Sequence, residues 1–268
     1  MNETPVLDKG FVRFLGAFGD DSTIVQAARV SYGDGTKSTR EDAQLIDYLM
    51  RHWHTSPFEM VVFFFHLKLP IFVARQLVRH RTASLNEMSA RYSEMPDEFY
   101  VPAPERVSAQ STTNKQGSGE RLDKHDTNMF VEAVGVDSQE ACDNYKLFLD
   151  CGIARELARI NLPVNLYTEM YWQIDLHNLL HFLRLRLDNH AQWEIQEYAR
   201  AIAEYVKQVT PVAYDTFERH RLNAQTFSSD ELDILRASLD NYMTRERIER
   251  SDLRPSRQRE LLTKLGME

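Results

Sequence analysis

Apolar residues recur along this chain in two periods, and the switches between the periods outline its elements. Phe63, Phe65, Leu67 and Leu69 alternate with Phe64, His66 and Lys68, so residues 60–69 read as a strand with one buried face. The aromatic and β-branched run VNLYTEMYWQI, residues 164–174, predicts another strand. A short apolar stretch at residues 11–14 opens the chain. Helical spacing appears at residues 39–52, where Ala43, Leu45, Ile46, Leu49 and Met50 share a face. A shorter helix is expected over residues 22–30, with Ser22 as its cap. Pro70 suits the first turn of a helix running to about Arg81. Residues 138–151 form a helix closed by Gly152, and a second begins at once and stops before Pro163. Asp175 can cap a helix over residues 176–186. Residues 190–209 carry Ile195, Tyr198, Ala199, Ile202, Val206 and Val209 on one stripe.

Between these elements, residues 104–124 include QSTTNKQGSGE, the composition of a mobile polar loop. After about Phe227 the chain is charge-rich, with Leu232, Leu235, Leu239, Leu261, Leu262 and Leu265 spaced as on helices. The organisation expected is one mixed α/β (α+β) body over residues 1–227, helices around a sheet. A charged helical extension, not a domain, follows over residues 228–268. No internal repeat is found.

Composition narrows the class. Of 268 residues, 43% are hydrophobic and 27% charged, an ordinary globular balance. The longest apolar run, residues 60–65, is far too short for a membrane span. The first residues lack the basic and apolar regions of a secretory signal, so none is expected. The two cysteines, Cys142 and Cys151, have eight residues between them and no CxxC pattern. Neither a disulfide framework nor a zinc knuckle is suggested, and a cytoplasmic location is the expectation. A net charge of −8 argues against a general nucleic-acid binder, but a local arginine cluster can still hold a small anion.

Such a cluster exists. In RHRTASLNEMSARY, residues 79–92, three arginines, a histidine, two serines, Asn86 and Glu87 crowd into what reads as a loop behind a helix. The segment cannot pack a core, so partners must supply the order that its entropy opposes. Arginine offers planar, charge-assisted bonds to phosphate, and serine and loop N–H groups add neutral donors. A merely solvated surface would not explain the interleaved serines and asparagine, nor a helix that delivers Gln76 and Arg79 at i, i+3.

These residues resemble the RHRxxSxNExSxR signature of the flavin-dependent thymidylate synthases at all eight fixed positions: Arg79, His80, Arg81, Ser84, Asn86, Glu87, Ser89 and Arg91. His54, Ser56, Pro57, Phe58 and Glu59 resemble the same family's HxTPFEH block, with Ser56 for Thr and Met60 for the last His. Glu156, Arg159, Leu162, Pro163, Asn165, Tyr167 and Thr168 are similar to its second arginine block. Phe182, Leu185, Arg186, His190, Ala191, Gln192 and Glu194 are similar to its FxxLRxxxHAQxE block. The likeness covers roughly residues 6–225.

The resemblance implies reductive methylation of dUMP to dTMP, with FAD, NADPH as reductant and methylenetetrahydrofolate as carbon donor. It also implies a homotetramer with sites between subunits. It places dUMP against Gln76, Leu77, Val78, Arg79, Glu87, Met88, Ser89, Ala90, Arg91, Arg159 and Arg186, with Arg186 catalytic at the uracil. It places FAD against His54, Ser56, Arg79, His80, Arg81, Glu87, Asp175, Leu176, His177 and His181. The family often has Asn where Asp175 stands and Arg one or two residues later, where this chain has Leu176, His177 and Asn178. Main-chain contacts at 175–177 are expected to survive that change.

The residue types agree with such chemistry. Uracil C5 must become nucleophilic before it takes a carbon unit. Neither cysteine lies in a ligand-rich loop; both read as helix residues packed in the interior. A guanidinium near N3 can do the work a thiolate would otherwise do, because it stays charged. His177 and His181 have the i, i+4 spacing of a zinc-protease helix, but Asn178 stands where the catalytic Glu would be, and no metal site is expected. A Rossmann site is not supported, since GDGTKS at 33–38 and GSGERL at 117–122 both lack the last glycine. His66 reads as a core or interface histidine, and Trp53, Trp172 and Trp193 as packing.

Overall fold

The computed structural model describes residues 2–30, 39–112, 117–239 and 241–267. In chain order the elements are β1 (Asn2–Val6), β2 (Gly10–Phe18), α1 (Asp21–Arg29), α2 (Thr39–Arg51), α3 (Ser56–Glu59), β3 (Val62–Pro70), α4 (Ile71–Leu77) and β4 (Ser84–Glu87). Next come β5 (Ser108–Gln110), β6 (Ser118–Arg121), α5 (Lys124–Asp150), α6 (Arg155–Ala158), β7 (Tyr167–Asp175), α7 (Leu176–Arg186), α8 (Trp193–Val209) and α9 (Pro211–Phe217). After the π-helical turn Glu218–Leu222 follow α10 (Ser229–Ser238), α11 (Asn241–Glu249) and α12 (Pro255–Leu265).

The main sheet has five strands in the order β1-β2-β3-β7-β4, and every pair is antiparallel. Cross-strand register puts Phe63 opposite Ile174, Phe65 opposite Trp172 and Leu67 opposite Met170. All six are buried on one face. The α8 stripe Ile195, Tyr198, Ala199, Ile202 and Val206 belongs to the same core, which therefore follows from the two hydrophobic periods. An antiparallel sheet of this kind is not a doubly wound dinucleotide fold. The segment 33–38 lies outside the described residues, and 118–121 is the strand β6.

Several boundaries differ from expectation, each for a physical reason. The cap of α1 is Asp20, not Ser22: Asp20 accepts from the Ser22 and Thr23 amides, and its own amide donates to Thr23 Oγ1. Helix α4 stops at Leu77 instead of Arg81. Leu77 is the last fully buried residue of this run, and the polar stretch behind it turns away into β4. The arginine-rich segment is thus not all loop; its middle is an exposed edge strand paired to β7. Helix α5 begins at Lys124, well before 138, under the cap Asp123. Its early turns bury Thr127 and leave Met129 and Phe130 exposed, so hydrophobic periodicity gives no signal there. Cys142 is buried on α5, but Cys151 is the exposed cap at its end, not an interior residue. Part of the 104–124 loop is ordered as the β5–β6 hairpin.

The chain divides into two compact units, Met1–Leu222 and Asn223–Glu268. In the second, Ile248, Leu262 and Met267 form a small buried cluster with Leu239, Leu261 and Leu265 against it.

Candidate active site

Two segments converge on one cleft: the residues behind α4, and the outer face of α7 down to its last residue. The cleft holds about 320 Å³ and is lined by Arg79, His80, Arg81, Thr82, Asn178, His181, Leu185 and Arg186. Among the described residues no carboxylate lines it.

Arg186 is its best-held cation. Leu179, Leu180, Phe182 and Leu183 bury the body of α7 and fix the backbone that carries the guanidinium. Its Nε donates to His80 Nε2 at 3.1 Å, and an Nη donates to the Gln76 carbonyl at 3.3 Å. An ion pair with Asp188 or Glu194 does not form. Asp188 is held by His190, and Glu194 accepts from Arg106 and Tyr100. Arg184, two positions earlier, lines a different pocket, as helical geometry requires.

His80 is pushed down from 6.5 to about 4 by burial, by Arg186 and by His181. It is therefore neutral near pH 7, with Nε2 as acceptor for Arg186 and the proton on Nδ1. The unfolded chain takes up this proton near pH 6.5 and the folded chain only near 4. Stability from His80 is thus present above pH 6.5 and falls as the pH drops from about 6.5 to about 4. Titrating the imidazole resonances of the ligand-free protein should give a His80 midpoint close to 4; a midpoint above 6 would contradict the geometry.

Asp175 caps α7, with both carboxylate oxygens engaged by Asn178: Oδ1 accepts from its amide at 3.0 Å and Oδ2 from its side chain at 2.7 Å. The acid thus acts as a cap and positions Asn178, a cleft residue that the sequence reading did not place in the site. The signal was its place three residues after the cap. Leu176 is fully buried and its amide is committed to the Val61 carbonyl, which removes the side chain from any site. Leu77 is likewise buried, and Ala90 nearly so, leaving main chain as their only means of contact.

The remaining candidates lie elsewhere. Glu87 accepts from Thr168 Oγ1 at 2.8 Å, and the Met88 amide donates to the Glu169 carbonyl. The turn behind them is closed by Ser89, whose carbonyl accepts from Tyr92 and whose Oγ accepts from the Arg91 amide. Arg91 is exposed and reaches Glu156 at 3.3 Å, on the short helix that leads to Arg159. Glu87, Ser89, Arg91 and Arg159 are not in the lining of the cleft. One chain therefore presents two cationic half-sets. His54 and His177 line a smaller pocket together with His181, and Ser56 is exposed at the start of α3. A larger groove, about 830 Å³, runs beside α5 and contains none of the predicted site residues.

Neither cysteine lines these cavities. Burial and Asp97 push the Cys142 thiol up to about 11, which makes it inert near neutrality. Among the described residues no group of three or more His, Cys, Asp or Glu is arranged to hold a metal ion.

Comparison with known proteins fits this site. The family model described as "Thymidylate synthase complementing protein" matches residues 14–212. A flavin-dependent thymidylate synthase of Treponema denticola is 57% identical over 235 residues, covering 87% of this chain and 88% of the relative. One from Thermus thermophilus is 55% identical over 261 residues, 97% of this chain and 95% of the relative. A solved structure, a UMP/dUMP methylase from Streptomyces cacaoi bound with 5-Br dUMP, superposes with a TM-score of 0.74 at 33% identity, covering 82% of this chain and 99% of that one.

Proposed function

The chain belongs to the flavin-dependent thymidylate synthase family, and from that footing we propose that it methylates dUMP reductively to dTMP. The carbon comes from methylenetetrahydrofolate and the electrons from NADPH by way of FAD. The observation that carries this reading is the carboxylate-free cleft in which a neutral His80 holds Arg186.

The cleft suits a flavin dinucleotide by its donor set. Arg79 and Arg81 oppose a diphosphate, Thr82 and Asn178 supply neutral donors, and His80 and His181 supply rings. FAD, when bound, supplies the two-electron chemistry that no side chain has. The protein's own contribution is electrostatic. Arg186 stays charged at any working pH, and its N–H groups not used by His80 and Gln76 can face the uracil. Placed there, it stabilises the negative charge that makes C5 nucleophilic, which is why no thiolate is needed.

Ser89, Arg91 and Arg159 form the phosphate end of the dUMP site in this reading. Because they do not line the Arg186 cleft of the same chain, a homotetramer completes each site from two half-sets. Exposed apolar side chains on α5, among them Met129, Phe130 and Val136, are material for such contacts. No helix among the described residues is long and apolar enough to cross a membrane, and we place the enzyme in the cytoplasm. Arg91→Ala should weaken dUMP binding about tenfold or more, the worth of one charge-assisted bond, and leave FAD binding nearly unchanged. Calorimetric titration with each ligand tests this. Unaltered dUMP affinity would remove Arg91 from the site.

A further inference from the structure

His181 borders two cavities, the flavin cleft and a smaller pocket between α2, α7 and the π-helical turn. The smaller one offers about 60 Å³, the room of about two water molecules. It can therefore take a head group but not a ring. Apart from the neutral Thr55, its polar side chains are arginines and histidines. Arg184 and Arg221 share it with His54, His177 and His181, and among the described residues no Asp or Glu lines it.

Two guanidinium groups in one pocket repel each other. Burial and the Arg184 charge push Arg221 down to about 10. Among the described residues neither arginine has an ion-pair partner. Asp47, on the α2 side of this wall, is occupied by Arg51, Arg219 and His220. Arg221 is nonetheless held firmly: its guanidinium lies 3.1 Å from the Trp53 ring centroid, and it donates to the Met50 carbonyl. The turn that carries it is a π-helix, a rare conformation found mostly at functional sites. Trp53 itself sits at a positive φ of 61°, a strained position for a bulky residue.

We propose that this pocket seats a phosphoryl group of NADPH and so selects the reductant beside the flavin. The proposal rests on the functional reading above. A 2′-phosphate offsets both guanidinium charges and offers three oxygens to them, and a diphosphate offsets them with one charge on each of its two phosphoryl groups. A single carboxylate offsets one charge and is satisfied by one arginine. The shared wall at His181 puts the seat next to the flavin cleft, where a hydride donor must lie.

The test uses the full-length, FAD-loaded enzyme with Arg184→Gln and Arg221→Gln. Arg184 is exposed and makes no hydrogen bond among the described residues, so its variant is the structurally safer of the two. Flavin absorption and thermal midpoint confirm that each is folded. Binding of NADP+, read by indole fluorescence, and the KM for NADPH should both weaken about tenfold or more per arginine. The KM for methylenetetrahydrofolate should stay within about twofold. A loss for NADPH but not NADH would seat the 2′-phosphate, and an equal loss for both would seat the diphosphate; either supports the proposal. Unchanged NADPH binding in both variants, or a loss confined to the folate, would overturn it. Enzyme reduced chemically without NADPH separates the two readings. If the wild type so reduced still makes dTMP, only the pocket assignment has failed; if it makes none, the functional reading itself falls.

Discussion

Arg186→Ala should lose most dTMP formation, about a hundredfold or more in rate, while keeping its FAD and some NADPH oxidation. Removing one preorganised group aimed at developing charge costs that much in related electrostatic sites. The group here is preorganised by construction. The backbone is anchored by buried leucines of α7, Nε is fixed by His80, and an Nη by the Gln76 carbonyl. Among the described residues no carboxylate neutralises it, so its charge is available to a ligand. A surface ion pair would be worth only about 0–1 kcal/mol, and that reading fails because Asp188 and Glu194 are engaged elsewhere. Arg186→Lys should be badly impaired as well. Lysine keeps the charge but cannot donate to His80 and a uracil in one plane. Bound flavin, NADPH oxidation and dTMP must be measured separately, since a variant defective only in methylation still consumes NADPH. Near-normal dTMP formation by Arg186→Ala would remove this residue from the chemistry.

Gly10→Ala should unfold the protein more readily than any change in the cleft. A Cβ at this position would lie 2.0 Å from Tyr198 Oη, 2.7 Å from the Lys68 carbonyl oxygen and 2.8 Å from the Val6 carbonyl oxygen. Val6 is its register partner on β1, and Lys68 lies on β3 opposite Phe11, so neither oxygen can retreat without loosening the sheet. The buried Tyr198 hydroxyl donates to that same Lys68 carbonyl at 2.7 Å and would be displaced. Overpacking costs about 1–3 kcal/mol, sometimes more, and a lost hydrogen bond about 1 kcal/mol. With about 2–4 °C per kcal/mol for a chain of this size, the thermal midpoint should fall by roughly 10 °C. A midpoint within about 2 °C of wild type would show that the three-way contact at Gly10 is not as close as described.

Gly10 also marks where sequence reading ends. The hydrophobic periods located β3, α2 and α8, because each buries one regular face and the core rewards that pattern, while β7 showed as an aromatic, β-branched run and α7 through its Asp175 cap. They did not locate β4 or the first half of α5. β4 is exposed and exists through pairing with β7, while α5 starts with a cap and buries small polar groups. The site was legible where residue chemistry is unusual, as in the arginines and serines of 79–91. It was not legible where geometry decides. Nothing in the string RHR says that His80 is neutral, because its lowered pKa comes from burial in the folded chain and from Arg186 and His181, far along the sequence. Nor does the string show that Asp175 turns both oxygens on Asn178. Arg221 and Trp53 belong to blocks without a motif, and only the fold brings them to one pocket with Arg184.

The central claim is that this chain carries electrons from NADPH through a bound flavin to a methylated uracil, with no cysteine involved. The direct measurement is the visible spectrum of the purified protein under anaerobic conditions. NADPH is added first, then dUMP with methylenetetrahydrofolate, and nucleotide products are assayed. A flavin spectrum should bleach with NADPH and return on addition of the two substrates, with dTMP formed in proportion to the flavin reoxidised. A protein that binds no flavin, or one whose reduced flavin persists with both substrates present and yields no dTMP, would contradict it.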